Sequence, residues 1–501
     1  MHAVTHSLLA LTLAVAFAPA QDKQPPHIVL IFCDDLGWTD LSTGRTNLGN
    51  GSPYHKTPQL DALAAAGTCF TSAYSNAPNC APTRAALWSG QWAPRTGVYT
   101  VGSGNRGKAQ HRKLIAAENN KVLAASCVTL AETLQSAGYT TGHFGKWHLG
   151  KASDKTDPNS QGFDHSAGGN QRGGVGKMGN FADESGAFQL PGLDANGVPR
   201  QFLADRLTDE AVEWMASTQQ PMFCCISHYS VHTPIQAPEQ DIEAAGAPPA
   251  ESRHRHRRYA AMLRNLDQAV GRVVQFLNTH PDPVRPDQML IDNTVVLFTS
   301  DNGGLGGYRD AGIAGGQEIT NQLPLRSGKG SLHEGGIRVP LIVRWDDHVR
   351  AGATDDTPVQ SIDLYPTLAH LAGASLPQDH SLDGMDFSGR LQMQPVATPD
   401  RTLFWHFPGY LEANARRGTW RTTPCSVARD GDLKVMFWYE TGTWSLFDLG
   451  TDIGEQRDLA AERTAERNRL AGTLIEWLQS TQAPMPNDLA GNPVALPQRP
   501  E

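Results

Sequence analysis

Two acidic pairs, one cysteine close to a proline and three short basic segments carry the residues of this chain whose types and spacing could do chemistry. Asp34-Asp35 and Asp301-Asn302 each follow a short run rich in Ile, Val, Leu and Phe. Their side chains can offer oxygen as ligand, with no imidazole nitrogen or sulfur, a donor set that suits a hard cation such as Ca2+ or Mg2+. Carboxylates gathered at two such ends repel one another unless a cation lies between them. Residues 80–90 read Cys-Ala-Pro-Thr-Arg-Ala-Ala-Leu-Trp-Ser-Gly. If a helix begins at Pro82, Arg84 stands one turn past Cys80 and aims a fixed cation back toward it. Gly145-Lys146-Trp147-His148-Leu149-Gly150 sets an ammonium and an imidazole two residues apart, so that on an extended segment both face one site. His232 in Val231-His-Thr-Pro and Lys329 in Gly328-Lys-Gly complete the set. Taken singly, each lysine reads as a surface charge, each histidine as a loop residue and the cysteine as a small packing group. Their joint occurrence is what argues for a site.

The elements that must position these residues are legible as patterns. His27–Phe32 and Thr294–Thr299 are short apolar runs that suit buried parallel strands, and each ends at an acidic pair. Met222–Ile226 and Pro340–Trp345 read as further strands of the same sheet. Thr57-Pro58 to Ala66 has an N-cap residue, a proline at the first helical position and Gly67 as a stop. Tyr259–Leu277 spaces Leu263, Leu266, Val270, Val273 and Leu277 at helical intervals. Strands alternating with helices predict an α/β fold, a large doubly wound and mostly parallel sheet flanked by helices, with ligands at the carboxyl ends of the strands. Past residue 400 the texture becomes short, aromatic-rich and Gly-punctuated over Thr402–Phe407, Ser426–Arg429, Leu433–Tyr439 and Trp444–Asp448, then helical from about Ala461 to Gln479. This predicts a smaller C-terminal antiparallel sheet plus helix. The expected layout is 1–20 signal peptide, 21–399 catalytic α/β domain, 400–480 C-terminal α+β subdomain and 481–501 a Pro-rich, extended or disordered tail.

The signal-peptide expectation rests on an apolar run from Leu8 to Ala18 followed by Ala18-Pro19-Ala20, although the preceding residues include no Lys or Arg. It implies a periplasmic or secreted protein. The run is shorter than the ~20 residues a membrane span needs, and no later stretch is long and apolar enough. With 42 Lys plus Arg against 51 Asp plus Glu, the net charge of −9 argues against nucleic acid as a partner. Seven cysteines without regular spacing read neither as a disulfide framework nor as a zinc site. Cys224 and Cys225 fall inside a strand as packing residues. Gly168 to Gly179, with Arg172 and Lys177, reads as a surface excursion, because no strand and helix flank it as a phosphate cradle requires.

The run from Cys80 to Gly90 resembles the signature of the formylglycine-dependent, type I sulfatases of the alkaline-phosphatase-like superfamily, with Trp88 where an aliphatic residue is expected. The other motifs occur in the order of that family, and the resemblance spans roughly residues 26 to 460. It implies that a maturation enzyme oxidises Cys80 to an aldehyde whose hydrate attacks sulfur through one hydroxyl and expels sulfate through the other, a covalent route with a built-in release step. It also implies calcium at Asp34, Asp35, Asp301 and Asn302, and sulfate binding by Lys146, Lys329 and Arg84. His148 would contact the formylglycine hydroxyl and His232 would act near the leaving oxygen. His228 competes for that last role, but the Thr-Pro after His232 matches the family element. His333 stands where many relatives have tyrosine. Val231-His-Thr-Pro-Ile-Gln-Ala-Pro and Leu403-Phe-Trp-His-Phe-Pro look like members that desulfate carbohydrates, so the expected substrate is a sulfated carbohydrate, with Arg172, Lys177, His406 and Arg421 as candidates for neighbouring sugar contacts or for plain surface and packing roles. Two other readings stay open: a formylglycine-dependent phosphonate monoester or phosphodiester hydrolase, and an unmodified glycan-binding protein with the same fold. Oligomeric state is not legible in the sequence.

Overall fold

The computed structural model describes residues 25–176, 190–193, 201–307, 318–392 and 401–500, so the signal-peptide expectation for residues 1–20 lies outside the described residues. The larger sheet has eight strands: β1 (His27–Cys33), β2 (Thr68–Phe70), β3 (Thr140–Gly145), β4 (His165–Ala167), β5 (Met222–Ser227), β6 (Thr294–Ser300), β7 (Leu341–Arg344) and β8 (Ala353–Asp355). Their spatial order is β4-β3-β5-β1-β6-β7-β2-β8. All are parallel except β7, which runs against both β6 and β2.

Every residue of β1 is buried, and its alternation divides the core in two. The principal helices of this domain are α1 (Pro58–Ala66), α2 (Cys80–Ser89) and α3 (Arg257–Thr279). Val29 and Ile31 pack with Leu263, Leu266, Val270 and Val273 of α3, the stripe its spacing predicts. Ile28, Leu30 and Phe32 pack on the opposite face with Leu87 and Trp88 of α2. Trp88, the unexpectedly bulky residue of the cysteine motif, is a core residue stacked edge-on against Phe163. Cys224 and Cys225 are buried in β5, one on each face. At the start of α1 the structure departs from expectation: Thr57 makes no side-chain cap, and the free Gln59 and Leu60 N–H groups donate to Asp267 of α3 at 3.2 and 2.8 Å. A cap can come from a packed neighbour, which local sequence does not announce.

The smaller sheet contains β9 (Thr402–Phe407) and, beyond a separate hairpin of β10 (Leu411–Asn414) and β11 (Thr419–Thr422), the strands β12 (Cys425–Asp430), β13 (Leu433–Trp438) and β14 (Thr443–Asp448). It is antiparallel throughout, in the order β9-β12-β13-β14. One face, with Phe404, Val435 and Leu446, packs on Leu470, Leu474 and Trp477 of α4 (Thr464–Ser480). The other, with Leu403, Trp405, Val427 and Met436, packs on Tyr74, Leu332 and Ile337 of the larger domain. At this junction the buried Lys434 ammonium lies 3.0 Å from Glu334 and 2.9 Å from Glu455. The tail beyond α4 pairs with the larger domain, since Ile115 and Asn487 exchange two backbone hydrogen bonds of 2.8 Å.

Candidate active site

The acidic pairs sit where the strands end. Asp34 and Asp35 follow β1, and Asp301 and Asn302 follow β6, its parallel neighbour, so strand register alone brings them together. Asp35 has φ of 63°, a left-handed conformation that Asp tolerates better than most residues. Its N–H points to Asp301 Oδ1 at 3.2 Å. All four side chains are buried, and Asn302 Oδ1 has no hydrogen-bond partner. Three buried carboxylates beside an orphaned amide oxygen form an all-oxygen donor set that fits a hard divalent cation.

Helix α2 begins at Cys80 itself, two residues before the expected start; Pro82 is tolerated there because first-turn N–H groups lack intrahelical partners. Gly90 closes the helix in the left-handed conformation, its N–H donating to Ala86 O at 2.8 Å. Cys80 Sγ then lies 3.3 Å from Asp34 Oδ1 and 3.4 Å from Lys329 Nζ. Burial, followed by the charges of Asp301 and Asp34, pushes the thiol well above its ordinary range despite Lys146 and Lys329.

Arg84 does not aim at the sulfur, as the spacing predicts. Its Nε and Nη2 donate to Asp301 Oδ2 at 3.0 and 2.8 Å, and its Nη1 donates to Lys146 O at 2.8 Å and Ser227 Oγ at 2.6 Å. The guanidinium is buried over the Phe32 ring and ties the ends of β3, β5 and β6 together. Ser227 is a residue that motif reading missed. Its only signal is position, the last residue of a buried strand beside β1.

Lys146 follows Gly145, whose φ is 108° and where a Cβ would lie 2.0 Å from Ser227 O. Only glycine allows that approach. The lysine is fully buried with Nζ 2.5 Å from Asp34 Oδ2. His148 is also left-handed, with φ of 67°, so the segment turns where an extended one is expected. Lys329 reaches both Asp35 oxygens, at 2.6 and 2.7 Å.

These contacts set the charges. Burial opposes ionisation of Asp34, yet Lys146, with His232, Arg84 and Lys329, holds its carboxyl well below the usual range. Burial and then repulsion from Asp34 push Asp301 up to about 6, against Arg84 and Lys146. Burial opposes the Lys329 charge too, but Asp35 leads the neighbours that raise it.

His232 Nδ1 donates to Thr233 O at 2.7 Å, leaving Nε2 to face Asp35 Oδ2 at 3.7 Å. Its side chain is 21% exposed, so it borders the site mouth. His228 is fully buried, its ring nitrogens make no hydrogen bond, and burial lowers it to about 4. Of the two histidines, His232 is the one with an open side. The glycine-rich loop is not a remote excursion: a Cβ on Gly173 would lie 2.2 Å from His148 Cε1, and one on Gly174 3.5 Å from His232 Cε1.

Among the candidate sugar contacts, Arg172 is exposed and Lys177 lies outside the described residues. His406 is buried between Ser426 Oγ and Pro484 O at 2.7 and 2.9 Å, a packing residue of the small domain. Arg421 of β11 donates to Gly306 O and Lys329 O at 3.1 and 3.0 Å, which places the hairpin against the second lysine. His333 lies 3.1 Å from Glu455 at the domain junction.

An open α/β sheet with an acidic, lysine-flanked cysteine at its carboxyl edge puts these groups where such sheets bind their ligands. The sulfatase signature matches residues 26–374, and the C-terminal signature of N-sulphoglucosamine sulphohydrolase matches residues 328–483. The chain belongs to the sulfatase family and is a sulfuric ester hydrolase. It is 34% identical to a sulfatase of Formosa agariphila, over 95% of this chain and 94% of that one. It is 30% identical to the N-acetylgalactosamine-6-sulfatase of Mus musculus, over 89% of this chain and 78% of the relative. The crystal structure of Ps i-CgsB in complex with k-i-k-neocarrahexaose superposes with a TM-score of 0.71 at 28% identity, covering 92% of this chain and 94% of that one.

Proposed function

We propose that the chain removes sulfate esters from sulfated carbohydrates, using a formylglycine made from Cys80 by a maturation enzyme and a calcium ion held by Asp34, Asp35, Asp301 and Asn302. The observation that carries the reading is the placement of Cys80 Sγ, within 3.3 Å of Asp34 and 3.4 Å of Lys329 at the start of a buried helix. The carbohydrate preference draws support from the mouse relative named for N-acetylgalactosamine 6-sulfate and from the neighbour solved with a neocarrahexaose. An exported, periplasmic or secreted enzyme is part of the proposal, on the strength of the apolar run before Gln21.

Once formed, the hydrated aldehyde would supply a hydroxyl nucleophile where the thiol has none, and an ion held by Asp34, Asp35, Asp301 and Asn302 would supply positive charge to the site. Lys146 and Lys329 bring fixed ammonium groups to the sulfuryl oxygens, where negative charge must be balanced as sulfur is attacked. Arg84 is a positioning residue, holding Asp301 and the Lys146 backbone. His232, with Nδ1 committed to a carbonyl, presents Nε2 to the leaving sugar oxygen, which it protonates from the doubly protonated imidazolium form, with both Nδ1 and Nε2 carrying protons. His148, beneath the glycine-rich loop, takes a proton from residue 80 as sulfate departs.

Mass analysis of the peptide spanning residue 80, after expression with the maturation machinery, tests the scheme. The expected species is lighter than the cysteine peptide by the difference between H2S and O, and Cys80→Ala abolishes release of sulfate from sulfated oligosaccharides. Unmodified thiol in fully active enzyme overturns it.

A further inference from the structure

A second cluster of chemically capable side chains lies behind the first, and the sulfatase reaction gives it no role. Asp40, His55 and His254 are each no more than 2% exposed, and each offers one ligand atom within 4.8 Å of the others. Three residues from distant parts of the chain, two imidazoles and a carboxylate, form a mixed nitrogen and oxygen donor set. Such a set suits zinc and its first-row neighbours; calcium and magnesium prefer oxygen alone.

His55 is already oriented as a ligand. Its Nδ1 lies 2.7 Å from the Asp40 carbonyl oxygen. A carbonyl only accepts, so Nδ1 carries the proton and Nε2 keeps its lone pair; a backbone carbonyl of this kind is a usual outer partner of a metal-bound histidine. His254 supplies an independent observation. It is buried and neither of its ring nitrogens makes a hydrogen bond, although Nε2 stands 3.4 Å from Asp40 Oδ1. A buried ring nitrogen held only by a 3.4 Å contact to a carboxylate is poorly satisfied, and an ion bound there would supply a close partner.

Further donors border the cluster. The Gln322 side chain is buried with both amide atoms unpartnered. Gln322 Nε2 and Asp40 Oδ2 both lie within 3.0 Å of the point where a side chain on Gly304 would begin. An amide reversed by rotation, which exchanges its nitrogen and oxygen, offers an oxygen in the same place. The Tyr259 hydroxyl donates to Asp40 Oδ2 at 2.7 Å, and Thr320 bonds Oδ1.

We propose that Asp40, His55 and His254 bind one divalent transition-metal ion, zinc by donor type, at a buried structural site distinct from the oxygen-only site at Asp34, Asp35, Asp301 and Asn302. The ion pins the loop that begins at the first acidic pair, since Gly37 N donates to Asp40 Oδ2 at 2.7 Å. It also anchors the segment of Thr320 that lies beyond the second pair, and the start of α3 at Tyr259. Its role is to fix the two loops that carry the acidic pairs, so it acts on the reaction only through position.

Metal analysis of the full-length enzyme tests this directly. After chelation and dialysis, the protein is titrated with zinc, or with cobalt as a coloured substitute, in excess calcium. The expected result is one tightly bound zinc per chain, a cobalt spectrum typical of nitrogen-ligated tetrahedral sites, and retention of both in Asp34→Asn. His254→Ala and His55→Gln should each weaken binding on the order of 100-fold or more, because loss of even an outer partner costs about 10- to 100-fold. Circular dichroism confirms that the variants are folded. Failure of the unaltered enzyme to take up stoichiometric zinc or cobalt overturns the proposal, as does binding unchanged in folded His254→Ala; the first outcome would make the cluster a metal-free polar network.

Discussion

Arg84 meets a single oxygen of Asp301 with two of its nitrogens, at 3.0 and 2.8 Å, in a pair that excludes water. The same guanidinium holds the Lys146 carbonyl and the Ser227 hydroxyl. A lysine has one ammonium and cannot span these three partners. Arg84→Lys should lower kcat about 100-fold or more with a smaller change in KM, because it displaces groups aimed at the transition state. Arg84→Ala should also lower stability by about 3–5 kcal/mol, the usual effect of leaving a buried partner uncompensated. Steady-state kinetics and urea unfolding check both.

His232 should matter most when the departing alkoxide is a strong base. His232→Ala is expected to reduce turnover of a sugar sulfate by about 100- to 10,000-fold, the usual range for loss of a general acid. An aryl sulfate with an acidic phenol should lose far less. Equal losses on both substrates would remove His232 from the proton-transfer role.

Removal of the proposed calcium ion should leave three buried carboxylates to Lys146, Lys329 and Arg84 alone. Treatment with a calcium chelator should abolish activity, and calcium should restore it more fully than magnesium if the donor cavity accommodates the larger ion. Activity assays after dialysis and readdition, with zinc present throughout, isolate this site from the second cluster.

Asp267 should give the enzyme a pH-dependent stability unrelated to catalysis. Burial pushes its carboxyl up to about 7, against the N–H groups of Leu60 and Gln59. An unfolded aspartate titrates near ~3.9, so between about 4 and 7 the folded state binds the extra proton. Stability therefore falls as pH rises through that window. Asp267→Asn should flatten the slope, as read from urea unfolding across the range, while its amide nitrogen can no longer accept from one of the two N–H groups that Asp267 caps.

Lys434 should prove essential to the junction between the two sheets. Lys434→Met removes the cation between Glu334 and Glu455, leaving Glu334 to Arg338 at 3.2 Å and Glu455 to His333 at 3.1 Å, and breaking such a buried group destabilises by about 3–5 kcal/mol. The variant should melt early by calorimetry, and restoring the charge with Lys434→Arg should recover part of the loss.

The central strands were legible because burial on both faces writes continuous apolar runs, and the runs of β1 and β6 visibly stopped at Asp34-Asp35 and Asp301-Asn302. The long helix α3 was legible for a similar reason, its stripe recurring five times from Leu263 to Leu277. Short strands such as β2 and β8 carry too few residues to show a period, and the β10–β11 hairpin is half-exposed, so its pattern is weak. The ten candidate residues of the site were legible as types, yet the partners of Arg84 were not. Spacing along a helix says which way a side chain leans, while its hydrogen bonds depend on strands that arrive from residues 146, 227 and 301. Ser227 and the cap from Asp267 were invisible for that reason, as was the meeting of Asp40, His55 and His254.

Because a single cation clasps three strand ends, the machinery is a property of sheet register more than of any loop. A slip of one residue in β3, β5 or β6 would reverse which face each terminal side chain addresses. Loops around the rim, including the β10–β11 hairpin that Arg421 fastens to Lys329, are free to diversify for new sugars, while the spacing of the central strands must stay constant across every such variant.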